Sequence, residues 1–191
     1  MKVKYEESIR RIFIDGGAHV GESVRYFYKL YKSVHGDEYE VYSFEPNPDL
    51  WELIEKEKTI LHKEAMWDKD GETDFWLSQY HSEGGTMLTK KVTGKVDYNN
   101  PIKVKTIDFS KWLQENFSKD DYIVLKLDIE GAEYTVLDKM YNDGTLAWIN
   151  EFWGEFHHPH RVQSLDKGAH EKMQKQLDEV GLKFHEWHIK E

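Results

Sequence analysis

The stretch that most constrains the fold is residues 11–21, which reads RIFIDGGAHVG. Ile12, Phe13 and Ile14 form a short apolar run, which is typical of a strand buried on both faces of a parallel sheet. Asp15 places a carboxylate where that strand ends, and a turn with few side chains follows. Such turns let backbone N–H groups approach a ligand before a helix begins. The stretch therefore predicts the ligand-binding turn of an open α/β sheet, although strand–Gly–Gly turns also serve simple packing.

Strand and helix patterns alternate along the rest of the chain, which predicts the α/β class with a mainly parallel central sheet flanked by helices. The predicted strands after the first are 41–44, 60–66, 73–77, 102–107, 122–127, 148–156 and 182–189. The predicted helices are 22–33, 49–58, 110–117, a segment that ends at Met140, and 163–180. A polar loop with two glycines is predicted at 81–91. The length suits a single domain, 1–191, and the short ends fit a domain excised from a larger chain.

Composition excludes several classes of protein. Asp and Glu outnumber Lys and Arg by 36 to 26, and a formal charge of −10 argues against binding nucleic acid or an anionic membrane surface. No apolar run is long enough to span a bilayer, and the start, MKVKYEESIRR, has no apolar signal region, so we expect a cytoplasmic protein. With no cysteine, a disulfide framework and a thiolate metal site are excluded.

Acidic residues end four of the predicted strands. These residues are Asp15, Glu45, Asp128 and Glu155, with His157 and His158 directly after the last one. Because the carboxyl ends of parallel strands meet at one edge of the sheet, we expect these groups to converge. Four acidic strand ends beside a glycine-rich turn indicate a binding or catalytic site rather than unrelated surface turns.

The residues around the turn favour S-adenosylmethionine over a dinucleotide. Glu45 follows Gly21 at the spacing expected of a carboxylate that accepts both hydroxyls of a ribose, a feature that NAD shares. Ala18 replaces the middle glycine of a G-x-G-x-x-G turn, which weakens a pyrophosphate site. Asp15 disfavours a dianionic ligand and suits a sulfonium or an ammonium. The alternatives are an NAD-dependent oxidoreductase and a non-catalytic S-adenosylmethionine-binding module of a larger assembly.

The ordered motifs FIDGGAHVG, YSFEPNP, EAMWDKDGETDFW, VKTIDF and IVLKLDIEGAEYTVL resemble those of the FkbM family of methyltransferases that use S-adenosylmethionine. The resemblance covers about residues 12–140, and FEPNP and KLDIEGAE are its most specific parts. It implies a class I, Rossmann-like methyltransferase that acts on a hydroxyl of a sugar or natural product. The cofactor residues it implies are Asp15, Gly16, Gly17 and Gly21 on the methionine side, Ala18 and His19 in the same turn, Glu45 at the ribose, Ala65, Met66 and Asp68 at the adenine, and Asp128 between cofactor and acceptor.

A sugar hydroxyl is a poor nucleophile and gains from a nearby base. Because histidine has the pKa closest to neutral pH, we expect His158 or His157 to be that base. Glu155 would orient the histidine or act as the base itself, and Asp128 would position the cofactor ammonium and the acceptor. Asp128, Glu155 and His158 are also candidate ligands for a divalent metal, as are the nearby side chains of Glu130, His157 and His160. We do not favour a metal, because acidic residues at a helix start also suit the helix dipole.

Overall fold

The structure is a computed structural model that describes residues 9–35, 39–79 and 84–187. Its centre is a sheet of six parallel strands. In chain order the strands are β1 (Arg11–Gly16), β2 (Tyr39–Phe44), β3 (Ile60–His62), β4 (Ala65–Trp67), β5 (Gly71–Phe75), β6 (Ile102–Asp108), β7 (Tyr122–Leu127), β8 (Ile149–Gly154) and β9 (Phe184–Glu186). The central sheet has the order β3–β2–β1–β7–β8–β9, and every neighbouring pair is parallel. The predicted α/β class with a mainly parallel sheet is confirmed.

Within the described residues, five α-helices accompany the strands and flank the central sheet. They are α1 (Glu22–His35), α2 (Trp51–Ile54), α3 (Phe109–Asn116), α4 (Glu133–Asp143) and α5 (Ala169–Val180). Single 3-10 turns at Pro48–Leu50 and Thr145–Trp148 lead into α2 and β8. None of these helices is long and apolar enough to cross a membrane among the residues described.

Alternate residues of β1 face two different helix layers. Phe13 packs with Val24 and Phe27 of α1, and the rings of Phe13 and Phe27 lie parallel with centroids 3.8 Å apart. Ile12 and Ile14 belong instead to the larger core that includes residues of α3, α4 and α5. Successive side chains of a strand point to opposite faces of its sheet. A strand with three successive apolar residues, as β1 has at 12–14, therefore requires helices on both faces.

A second, smaller sheet has the order β4–β6–β5, with β4 parallel and β5 antiparallel to β6. The prediction of one strand over 60–66 is wrong, because β3 pairs with β2 whereas β4 pairs with β6. The strand predicted at 102–107 is confirmed as β6, but it lies in the second sheet. Hydrophobic periodicity reports which faces of a strand are buried and says nothing about its partner.

Two predicted helices are shorter in the structure. The helix predicted at 163–180 begins only at Ala169, because the preceding residues form a local turn and bind another segment. Gly168 N donates to Asp166 Oδ1 (2.8 Å), and Gln163 N donates to the Lys90 carbonyl (3.0 Å). The helix predicted at 49–58 is a 3-10 turn followed by the single turn of α2.

Two further predictions lie partly outside the described residues. The last strand, predicted at 182–189, is the three-residue β9, and residues 188 and 189 are not described. Residues 84–91 of the predicted loop form turns and isolated bridges, which pair Thr86 with Trp76 and Lys91 with Val162, and residues 81–83 are not described. The described part of this loop is therefore held by β-type contacts on two sides.

Candidate active site

A cavity of about 380 Å³ opens at the carboxyl edge of the central sheet. Its lining includes residues that follow β1, β2 and β7 and residues of β4, β5 and the 84–87 segment. The predicted site residues that line the cavity are Gly17, His19, Glu45, Ala65, Met66, Asp128 and Glu155. Those that do not line it are Asp15, Gly16, Ala18, Gly21, Asp68, His157 and His158.

The glycine turn brings the ends of β1 and β7 into direct backbone contact. Gly17 has φ +76°, and a Cβ there would lie 1.9 Å from the carbonyl oxygen of Asp128. Gly17 N and Ala18 N both donate to the Phe44 carbonyl (3.0 and 3.1 Å), and His19 N donates to a Glu45 carboxylate oxygen (3.0 Å). The expectation that these N–H groups are free for a ligand is therefore wrong, because they fasten β1 to β2. Glycine is required at position 17 by the neighbouring strand.

Glu45 presents a buried carboxylate to the cavity. One carboxylate oxygen accepts from His19 N (3.0 Å) and the other from Asn47 N (2.9 Å), while the indole of Trp51 donates to the Glu45 carbonyl (2.8 Å). Burial raises the pKa of Glu45 to about 7, although the two backbone N–H groups lower it. Each oxygen keeps a lone pair for a further donor, such as a hydroxyl group of a ligand.

Asp15 lies beneath the cavity in an ion pair. Its carboxylate has no solvent exposure, and Lys126 Nζ lies 3.1 Å from Oδ1. The same ammonium donates to the carbonyls of Gly16 (3.2 Å) and Gly17 (2.9 Å). Burial lowers the pKa of Lys126, but the carboxylates of Asp15 and Asp128 outweigh this effect and raise it. The charge of Asp15 is therefore compensated within the protein, and Lys126 is the neighbour that reaches the cavity.

Asp128 is one of the acidic residues that line the cavity. Its backbone N–H donates to the Gly16 carbonyl (3.1 Å), which fixes the residue at the end of β7. Its side chain accepts no hydrogen bond from the residues that the structure describes. Burial raises the pKa of Asp128 to about 6, although Lys126 and His157 lower it. The carboxylate is thus largely ionised above pH 7 and is open to a ligand.

A buried network of charges lies behind Asp128. His157 Nε2 lies 2.9 Å from Glu130 Oε2 and its Nδ1 lies 3.1 Å from Glu133 Oε1. Glu130, which has φ +58°, also pairs with Lys91 Nζ at 2.6 Å, and the Lys91 side chain is only 2% exposed. The Glu133 carboxylate in turn accepts from the backbone N–H groups of Ile129 (2.8 Å) and Gly131 (2.9 Å). The network therefore fixes the turn that follows Asp128.

The contacts of His157 do not suit the predicted role as the base. Burial lowers the pKa of His157, but the hydrogen bonds to Glu130 and Glu133 outweigh it and raise the pKa to about 11. The ring is an imidazolium at neutral pH and has no lone pair with which to accept a proton. His158 lies outside the cavity, with its ring centroid 4.1 Å from that of His170. Burial and the neighbouring His170 lower the pKa of His158, so it is neutral but remote from the cavity lining.

The predicted metal ligands Asp128, Glu155 and His158 do not form one cluster within the described residues. Glu155 lines the cavity but accepts from the Arg161 guanidinium (2.8 Å), and His158 packs on His170. Within the described residues, the ligand atoms of Asp128, Glu130 and His157 do lie within 4.8 Å of one another. Both nitrogens of His157 already face carboxylates, and an ammonium already neutralises Glu130, so these donors do not fit a divalent ion.

Several residues of the cavity were missed from the sequence. They are Glu22, Ser23, Phe44, Pro46, Asn47, Phe75, Gly84, Gly85, Met87, Lys126, Ile129 and Trp187. Lys126 and Trp187 could have been found, since both lie at the carboxyl ends of strands in the central sheet. The segment 84–87 could not, because only the second sheet brings it to this edge.

Comparison with known proteins identifies the family of the chain. No curated protein and no solved structure gave a significant match to the chain. The family model of the methyltransferase FkbM domain matches residues 15–183, which include the glycine turn, Glu45 and Asp128. Since this match covers most of the chain, the protein belongs to the FkbM family of methyltransferases.

Proposed function

We propose that this protein transfers a methyl group from S-adenosylmethionine to a hydroxyl oxygen of a carbohydrate or another polyhydroxylated acceptor. The observation that carries the proposal is the Glu45 carboxylate, which two backbone N–H groups hold at the cavity wall. A carboxylate with one free lone pair on each oxygen matches the two adjacent hydroxyls of a ribose. Ala65 and Met66 also line the cavity and offer apolar contacts for an adenine.

Once bound, S-adenosylmethionine supplies a methyl group activated by a sulfonium. The residues of the chain would hold the ribose at Glu45 and receive the proton of the acceptor hydroxyl at Asp128. Asp128 takes the place that the sequence assigned to a histidine, because its carboxylate lines the cavity and is largely ionised above pH 7. Lys126 and the imidazolium of His157 favour that ionised form.

The cavity wall supports an acceptor that carries several hydroxyls. Asp128 and Glu155 offer carboxylate oxygens, which accept hydrogen bonds from hydroxyl groups. Phe75 and Met87 line the cavity as well and provide an apolar surface for one face of a sugar ring. A methyl acceptor with both polar edges and an apolar face suits this combination.

The test combines cofactor binding with methyl transfer. Titration calorimetry with S-adenosylhomocysteine should show that Glu45→Ala weakens binding by roughly 1.5–3 kcal/mol, whereas Glu52→Ala, an exposed control on α2, has no effect. With a panel of glycans and mass-spectrometric detection, Asp128→Asn should lower the single-turnover rate by about 10²–10⁴-fold while S-adenosylhomocysteine still binds. Failure of the unmodified protein to bind S-adenosylhomocysteine, or full activity of Asp128→Asn, would contradict the proposal.

A further inference from the structure

Two buried polar atoms at the cavity have neither a hydrogen-bond partner nor an ion-pair partner among the residues described. They are the carboxylate oxygen Oε2 of Glu22 and the indole Nε1 of Trp187. Both residues line the cavity. A buried donor or acceptor that stays unpaired costs about 1–3 kcal/mol, so such atoms in a cavity wall point to a ligand that completes them.

The packing of α1 brings these two side chains to the same part of the cavity. Glu22 and Tyr26 are four residues apart and therefore share one face of α1. The ring of Tyr26 meets the indole of Trp187 edge to face, with centroids 5.3 Å apart. The Trp187 backbone N–H donates to the Gly154 carbonyl (3.0 Å), which anchors the residue beyond the end of β8. The ring contact with Tyr26 and the backbone hydrogen bond to Gly154 together fix the position of the Trp187 indole.

The charge state of Glu22 suits a cation. Its other carboxylate oxygen, Oε1, lies 3.1 Å from His19 Nδ1. Burial alone would raise the pKa of Glu22, but the hydrogen bond with His19 and backbone hydrogen bonding lower it below its ordinary value. An ionised carboxylate oxygen is an acceptor only, and an indole N–H is a donor only. Together they offer one site for an ammonium and one for a carboxylate.

We infer that Glu22 and Trp187 bind the amino-acid end of the cofactor, with its α-ammonium at Glu22 Oε2 and its α-carboxylate at Trp187 Nε1. The inference rests on the proposed function, since it assigns the part of the same cavity that Glu45 does not occupy. Trp187 lies beyond the residues that the family model matches. This contact is therefore a feature of this chain that the family match does not include.

Two ligands separate this inference from the proposed function. S-adenosylhomocysteine has the adenosine and the amino-acid end, whereas 5′-methylthioadenosine has the adenosine and a methylthio group but no amino-acid end. Calorimetry should show that Glu22→Gln and Trp187→Phe each weaken S-adenosylhomocysteine binding at least about tenfold, the equivalent of about 1.4 kcal/mol, and change methylthioadenosine binding less than twofold. Glu45→Ala should weaken both ligands.

Trp153→Phe is the matched control. Trp153 packs against Trp187, with ring centroids 5.9 Å apart, but its indole donates to Glu151 (3.2 Å) and it does not line the cavity. This variant should bind both ligands normally, and melting curves of all variants check that the fold is kept. If Trp187→Phe and Glu22→Gln bind both ligands like the unmodified protein, or lose both equally, the inference is wrong while Glu45 can still support the proposed function. If the unmodified protein binds neither ligand, both proposals are wrong.

Discussion

At the scale of single residues, ionisation decides what the cavity can bind. Glu45 is held by two backbone N–H groups, yet burial still raises its pKa to about 7. Because this value is above that of an unfolded glutamate, the ionised group lowers the stability of the folded protein above pH 7. That cost declines as the pH falls through 7 and is absent below the ordinary glutamate pKa of about 4.3.

Cofactor affinity should therefore depend on pH through Glu45. Only the ionised carboxylate accepts hydrogen bonds at both oxygens, so methylthioadenosine should bind roughly tenfold more weakly at pH 6 than at pH 8. Methylthioadenosine is the appropriate ligand because it has no amino-acid end to titrate. Calorimetry at the two pH values measures the effect, and Glu45→Gln should bind weakly at both. A pH dependence that persists in Glu45→Gln would assign the titration to another group.

At the scale of elements, one ion pair joins the segment between β5 and β6 to the turn after β7. Lys91 Nζ reaches both Glu130 Oε2 (2.6 Å) and the Gly84 carbonyl (2.9 Å), and Thr86 Oγ1 donates to the Glu130 carbonyl (2.9 Å). The lysine is thus a structural link between the two sheets next to the cavity. Its charge matters because burial alone would raise the pKa of Glu130, whereas His157 and Lys91 hold that pKa below its ordinary value.

Removing that charge should destabilise the protein. Lys91→Met leaves Glu130 with His157 as its remaining cation, and breaking a buried pair in this way should cost about 3 kcal/mol in the free energy of unfolding. Lys103→Met is the control, since Lys103 pairs with Asp74 at the surface and should contribute less than about 1 kcal/mol. Urea unfolding of both variants measures the difference. Equal losses of unfolding free energy in the two variants would show that the buried ion pair contributes no more than the surface pair.

The sequence predicted which residues stand at strand ends better than it predicted which side chains contact one another. Pro46 and Pro48 end β2, so Glu45 had to stand at the carboxyl edge, and it does. The role of His157 could not be predicted, because its partners depend on the turn after β7 and on which way the ring faces. Spacing places a histidine near a strand end, but whether it is a base or a buried cation depends on neighbours that are distant in the sequence.

At the scale of the whole molecule, the cavity lies between the two sheets. Gly17, Glu45 and Asp128 come from the central sheet, whereas Met66 and Phe75 come from the second one. A ligand that fills the cavity therefore contacts both sheets and should slow their separation. Ligand binding and the stability of the fold are therefore coupled through this cavity.

Hydrogen exchange should make this coupling visible. Saturating S-adenosylhomocysteine, at about 100 times its dissociation constant, should stabilise the folded protein by about 2.7 kcal/mol. Protection should rise both at the ends of β1, β2 and β7 and in residues 84–87, measured by mass spectrometry of peptides. Glu45→Ala at the same ligand concentration serves as the control and should show less protection. Protection confined to the central sheet would contradict a cavity shared by both sheets.

The fold extends past the limits of the family match at both ends. Residues 12–14 are fully buried and precede residue 15, while β9 and Trp187 follow residue 183. A shortened chain prepared from residues 15–183 would lose three core side chains, each worth roughly 1.5–3 kcal/mol, and would leave β8 as an unpaired edge open to aggregation. Expression and crystallisation trials planned on domain borders alone would discard part of the central strand together with the indole that faces the cavity.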